Sequence, residues 1–202
     1  MTKDTNECNN RSINSISSIC SNLSCNYILY TKRRRVMNIF YLDKSPYLAA
    51  KYQYNKHVVK MVLESAQMLC TAHHVYGSKW QKENVPYKQA HLNHPSTIWT
   101  RQCFQNYRWL YLHMLALGNE YTKRYDKTHL TIYKCENFLN TAPKNIPTGK
   151  FTEPPQAMPD QYKVPGCSIT AYWNYYEGEK YTVANADEMI ITRPKKYEKK
   201  TI

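Results

Sequence analysis

Glycine is scarce in this chain of 202 residues, with only 5, and no Gly-rich loop of the phosphate-cradling kind occurs. The known orders of Ser, His and Asp in hydrolases are missing, as is a catalytic-Cys signature. No run approaches the roughly 18 apolar residues of a membrane-spanning helix. The first residues are polar and rich in Asn and Ser, without the apolar core of a signal peptide, so an intracellular protein of the cytoplasm or nucleus is expected. The seven cysteines stand at 8, 20, 25, 70, 103, 135 and 167 with no CxxC pair. An odd count at irregular spacing argues against a secreted disulfide scaffold. No internal repeat is present.

Positive charge and aromatic rings are what the chain has in quantity. The formal net charge is +13, and there are 19 Tyr and 4 Trp. Such a charge points to a polyanionic partner. It is spread unevenly: residues 1–36 and 193–202 each contribute +4, leaving +5 for 37–192.

Residues 1–31 are rich in Asn, Ser and Thr without sustained periodicity and read as disordered. After Lys32-Arg33-Arg34-Arg35 the character changes, and the apolar run Met37–Leu42 opens the folded part. The spacing of Val58, Val59, Val62, Leu63, Ala66, Leu69, Cys70 and His73 predicts an amphipathic helix over 55–74, stopped by Gly77. At about 100° per residue its other face carries His57, Lys60, Glu64, Gln67 and Thr71. Residues 78–92 read as a loop. Asn93-His94-Pro95-Ser96 starts a second long helix reaching about 125, with Arg101, Gln105 and Arg108 along one exposed edge. A third helix is expected over 127–141. The six prolines of 142–166 exclude a continuous helix, and Phe151, Met158 and Tyr162 anchor that stretch as a surface wrap. A last helix or turn carries 171–176, and a loose basic tail follows from 193. The expected fold is mainly α: one helical domain over 37–192, a Pro-rich wrap, a disordered N-terminal extension over 1–36 and a tail.

The stripe His57/Lys60/Glu64 is the most informative feature. Lys60 and Glu64 have the spacing of an ordinary surface ion pair, but a Glu here could also stabilise a cationic intermediate or relay protons. Cys70, His73 and His74 lie close, with Cys70 and His73 turned towards the apolar face as packed residues. His91 and His94 could ligate a metal, but nothing completes a site. No metal and no cofactor are expected. Tyr172, Trp173, Tyr175 and Tyr176, beside Lys180 and Tyr181, could stack on bases while lysine meets phosphate; packing on the core is the alternative for half of them.

The segment Lys56–Leu69 resembles the RLGKQRVEALQIL helix of the bacterial branch of the pyrimidine-dimer DNA glycosylase/AP lyase family, with Lys60, Glu64, Gln67 and Leu69 at matching places. Asn93-His94-Pro95-Ser96-Thr97-Ile98-Trp99 resembles that group's NHPAVKMW, with Trp99 one place early. Met37-Asn38-Ile39-Phe40 is placed like the family's short segment before its first helix. Trp173-Asn174-Tyr175-Tyr176 and Lys180 are similar to the Trp/Tyr/Lys-rich end of the phage enzyme. The resemblance covers roughly 37–120 and a C-terminal patch.

That resemblance implies a mainly helical DNA-binding enzyme that extrudes a base and cleaves its glycosyl bond. The family's nucleophile is the N-terminal α-amine, supported by a Glu, for which Glu64 is the candidate. The amine would belong to Met37 or Asn38, which here follow 36 residues. A translation start at Met37, cleavage of the extension, the Thr2 amine or the Lys60 amine are the routes that remain. His57, Asn93 and His94 would shape the pocket or touch phosphate, with Arg101, Arg108, Trp173, Tyr176 and Lys180 on nucleic acid. The expected partner is double-stranded DNA, with no membrane. A noncatalytic nucleic-acid-binding module on the same scaffold and a nucleotide-processing enzyme are the alternatives.

Overall fold

The computed structural model describes residues 37–181 and 191–198. The expected disorder of 1–31 and the basic cluster 32–35 lie outside them, as does the end of the tail. Among the described residues seven α-helices carry the fold: α1 Pro46–Lys51, α2 Asn55–Tyr76, α3 Lys79–Asn84, α4 Pro95–Gln102, α5 Phe104–Tyr125, α6 Leu130–Leu139 and α7 Ser168–Tyr175. A π-turn, Tyr176–Lys180, continues α7, and no strand occurs among the described residues. None of these helices is long and apolar enough to cross a membrane.

The core forms between α2 and α5, each of 22 residues and so about 33 Å long. Val58, Met61, Val62, Ala66, Leu69 and Ala72 of α2 are buried with Tyr107, Leu110, Met114 and Leu117 of α5. α6 packs close to α5 because Gly118 leaves room: a Cβ there would stand 2.5 Å from Ile132 Cγ1. Arg124, near the end of α5, donates to the backbone carbonyls of Lys51 and Gln53 and to Asn55 Oδ1. That fixes the corner between α1 and α2.

The apolar run ahead of α1 threads into this core. Met37, Ile39, Phe40, Tyr41 and Leu42 are all buried, a gain of about 1.5–3 kcal/mol for each large side chain. Asn38 shapes the run: its Oδ1 accepts the N–H groups of Ile39 and Phe40 at 2.8 and 3.0 Å. Phe40 then takes a left-handed φ of 51°, uncommon for a bulky residue.

Several expectations need correction. Residues 78–92 are not all loop: Ser78 and Gln81 form a reciprocal capping box that starts α3. The second long helix is broken at Cys103, which is extended (φ −156°, ψ 163°). There the wrap docks, with Phe104 N–H donating to Pro147 O at 2.8 Å and Gly149 close enough that a Cβ would meet Cys103 Cβ at 2.9 Å. Ile98, assigned to the apolar face, is exposed, as are Val59 and Leu63. Thr71, assigned to the polar face, is buried; its hydroxyl bonds Gln67 O and loop residue Ala90.

The wrap is ordered as anticipated. Phe151 meets the rings of Tyr41, Trp99 and Trp109, and Trp99 Nε1 donates to Thr152 O. The described part of the tail is not loose. Arg193 forks onto Glu177 at 3.0 and 2.7 Å, and Lys196 Nζ stands 2.6 Å from the buried Asp43 carboxylate.

Candidate functional site

Glu64 lies on the third turn of α2, between Lys60 and Gln67 on the polar stripe, yet it is only 7% exposed. The cause is the segment ahead of α1, which passes beside α2 and donates Asn38 N–H to Glu64 Oε2 at 3.0 Å. The other oxygen, Oε1, pairs with Lys60 Nζ at 3.0 Å. Lys60 keeps a largely exposed side chain. The Asn38 amide in turn donates Nδ2–H to Ala157 O of the Pro-rich wrap at 2.9 Å. One buried carboxylate thus gathers α2, the start of the folded chain and, through Asn38, the wrap. Met37, 2% exposed, precedes this knot directly.

Two turns earlier, His57 sits in a ring stack. Phe40 lies on it at 4.3 Å between centroids, and its Nδ1 is 2.6 Å from Tyr176 Oη. Tyr176 in turn stacks on Tyr54 at 4.9 Å. Burial, with the positive charges of Lys180 and Lys60 nearby, lowers the His57 pKa to about 3, so the imidazole is neutral at physiological pH. The sequence gives His57 either to the pocket wall or to phosphate; here it is a neutral imidazole held by Tyr176 and Phe40.

Trp173 and Tyr176 are corrected in the same way. Both are fully buried, Trp173 because its indole N–H reaches Leu42 O at 2.9 Å and Tyr176 through His57. Neither can stack on a base. Lys180 is mostly covered, paired with Glu179 at 3.2 Å and lying over the Tyr175 ring at 4.5 Å. The helix break separates Arg101 from Arg108. Arg101 turns back to Leu92 O at 2.8 Å, and Arg108 lies over Tyr111 and reaches Asn140 Oδ1. Asn93 is exposed. His94 caps α4, its Nδ1 accepting Ser96 N–H at 3.2 Å, and His129 caps α6 likewise through Thr131.

The structure therefore brings Met37, Asn38, Lys60 and Glu64 together, takes Trp173 and Tyr176 into the core, and leaves His57 half-buried against Phe40 and Tyr176. Sequence reasoning missed the part of Asn38's side chain and the burial of Glu64. Periodicity describes one helix, and both effects come from a strand-like segment laid across it. Among the described residues no three His, Cys, Asp or Glu side chains form a metal-binding group. A polar cavity of about 470 Å³ is lined by Asn174, Glu177, Thr192, Arg193 and Glu198, none of them a residue chosen from the sequence. Comparison with protein families, with characterised proteins and with solved structures gives no match.

Proposed function

We propose that this protein binds double-stranded DNA across the exposed arc of α2, and that Asn38 and Glu64 mark a base-excision centre of the amine type. The observation that carries the reading is the 3.0 Å contact between the Asn38 backbone nitrogen and Glu64 Oε2. The resemblance pairs a required Glu with an amine at the start of the folded domain, that of Met37 or Asn38, and the Asn38 nitrogen is the one in contact with Glu64. In a chain freed at residue 38 that nitrogen is a primary amine. Its lone pair attacks C1′ of the nucleotide, forming an N–C1′ bond as the bond from C1′ to the base breaks. The bonding pair leaves with the base, which takes a proton from water; the amine loses one proton, and its lone pair then forms the second N–C1′ bond as the C1′–O4′ bond breaks, opening the sugar and giving the cationic imine. Glu64 would accept that proton and pass it to the freed O4′, which leaves its carboxylate charged against the cationic imine. Lys60, exposed beside it, would meet phosphate.

A second reading has its own observation. In the chain as it stands the Asn38 nitrogen is a peptide N–H that donates to Glu64, and a delocalised amide lone pair is no nucleophile. With the extension attached, the protein would then bind without cutting.

Duplex binding by the full chain, followed against salt, tests the shared part. A linear fall of log affinity with log salt is expected, with a slope near −0.9 per phosphate neutralised. Absence of binding to duplex at low salt removes both readings. Salt-insensitive binding of a mononucleotide would favour a nucleotide-processing enzyme.

A further inference from the structure

Two buried thiols that the proposed chemistry does not use meet between α2 and α6. Cys70 and Cys135 are each 0% exposed and stand 65 positions apart in the chain. Cys103 and Cys167, the other cysteines among the described residues, turn to oxygen: Lys150 O and Thr170 Oγ1. Cys70 and Cys135 turn to each other, thiol hydrogen-bonded to thiol. Tyr87 bridges the same two helices beside them. Its carbonyl oxygen accepts from His74 Nε2 at 2.9 Å, and its hydroxyl donates to Thr131 Oγ1 at 3.1 Å. His74 lies one turn after Cys70 on α2, and Thr131 one turn before Cys135 on α6. Residues four apart share a helix face, so the bridge joins the two faces that carry the thiols. A second tie, His129 Nε2 to Val59 O at 3.1 Å, holds the start of α6 to an earlier turn of α2. Along α2, Cys70 lies between these two ties.

Two thiols held in this way need only an oxidant to become a covalent bond. The Cys70 thiol, by donating to Cys135, holds the Cys135 pKa down against burial, with the positive charge of Lys134 helping. The same contact and burial push Cys70 up. Cys135 is therefore the member that reacts as thiolate. Tyr87 is half-buried and is followed by exposed Lys88 and Gln89, so a surface loop adjoins the pair. We propose that Cys70 and Cys135 form an oxidative modification site, at which a hydroperoxide converts the two thiols to a disulfide that ties α6 to α2. The Cys135 thiolate attacks one peroxide oxygen; the S–O bond forms, the O–O bond breaks, and the other oxygen leaves as hydroxide. The Cys70 sulfur then attacks the Cys135 sulfenic acid; the S–S bond forms, the S–O bond breaks, and the hydroxyl leaves as water. Two thiols are oxidised and one hydrogen peroxide becomes two waters. The site is independent of the nucleic-acid reading, and its test uses no DNA.

The native full chain is treated with hydrogen peroxide at neutral pH, then alkylated in denaturant and digested without reduction. The expected product is a peptide cross-linked between Cys70 and Cys135, about 2 Da lighter than its two thiol peptides together, which dithiothreitol separates. A tie across 65 positions restricts the unfolded chain, so the oxidised protein should melt higher than the reduced one. Cys70→Ala leaves Cys135 without a resolving thiol, and dimedone should then label Cys135 as the sulfenic acid. Cys135→Ala should leave Cys70 a free thiol. Both variants are checked by melting before treatment, and the peptide map of the unaltered chain decides the question where a variant fails to fold. Recovery of both cysteines as free thiols from the treated native chain overturns the proposal. So does a cross-link that forms only in denaturant, or one that joins either residue to Cys8, Cys20 or Cys25 instead. A Cys70–Cys135 cross-link in a protein that melts lower than the reduced form means that the thiols close only after α6 leaves α2, and overturns the site as a tie between packed helices.

Discussion

Asn38 and Glu64 stand 26 positions apart in sequence and 3.0 Å apart in space, backbone N–H against carboxylate. The contact turns a residue that spacing would leave in a solvated i, i+4 ion pair into a buried acceptor with a structural load.

Glu64→Gln should therefore cost more than an exposed pair. A solvated Lys–Glu pair is worth about 0–1 kcal/mol, whereas hydrogen bonds to a charged group contribute about 1.5–3 kcal/mol. Glutamine retains one acceptor for Asn38 N–H and loses the attraction to Lys60. We expect a loss of about 1–3 kcal/mol in urea unfolding, and a larger one for Glu64→Ala, which strands the N–H. A loss indistinguishable from zero in both variants would mean that the segment before α1 does not hold its place on α2.

Asn38→Ala removes the acceptor for two buried N–H groups and the tie to Ala157. Each buried group left unpaired costs about 1–3 kcal/mol, and the left-handed turn at Phe40 loses its support. A fall in stability of at least about 2 kcal/mol is expected, with faster hydrogen exchange at Ile39 and Phe40. Native exchange at these amides would refute the turn.

Acid should unfold the protein well above the carboxylate range. Burial lowers the pKa of His73 and His113 to about 4 and of His57 to about 3. Those of His94 and His129, the two imidazole caps, are also lowered, by burial. A histidine whose folded pKa lies below the unfolded value near 6.5 gives stability that is complete above that value. The stability is lost as pH falls through the folded pKa, because only the unfolded chain takes up the proton. Stability should drop by several kcal/mol, on the order of one per buried imidazole for each pH unit, between pH 6.5 and about 4. A flat profile over that window would contradict the neutral imidazoles.

Lys196→Met should loosen the docked tail. Asp43, whose side chain is almost wholly covered, has Lys196 Nζ at 2.6 Å and accepts the Ser45 N–H on Oδ1 at the start of α1. Without Lys196 a buried carboxylate loses its counter-charge. Limited proteolysis near 191–198 should accelerate, and Asp43→Asn in the same chain should restore part of the lost stability. Unchanged cleavage would show that Arg193 alone holds the segment.

How far the sequence discloses this arrangement depends on the range of each interaction. α2 was legible because its apolar spacing is local, and the start of α4 was legible from Asn93-His94-Pro95-Ser96, with His94 as the cap; α6 begins at Leu130 and not at 127, because the His129 side chain caps it there. The break at Cys103 was not: it depends on Pro147 O and Gly149, over forty positions away, and α4 and α5 share an uninterrupted apolar period. Trp173 and Tyr176 read equally well as base-stacking rings or as core, and only their bonds to Leu42 O and His57 decide for the core. Conversely, Val59 and Leu63 fit the buried period of α2 and are exposed, because α6 meets their turn through His129 at its end and does not cover it.

Borohydride trapping on duplex DNA tests the central claim most directly, with the full chain and a chain beginning at Asn38 presented with damaged and abasic duplexes. The account predicts a covalent protein–DNA product only from the shortened chain, its mass increment mapping to the Asn38 nitrogen and its yield falling by orders of magnitude in Glu64→Gln. A shortened chain that folds, binds duplex and yields no trapped product on any substrate would contradict the amine centre, as would a product mapping to Lys60.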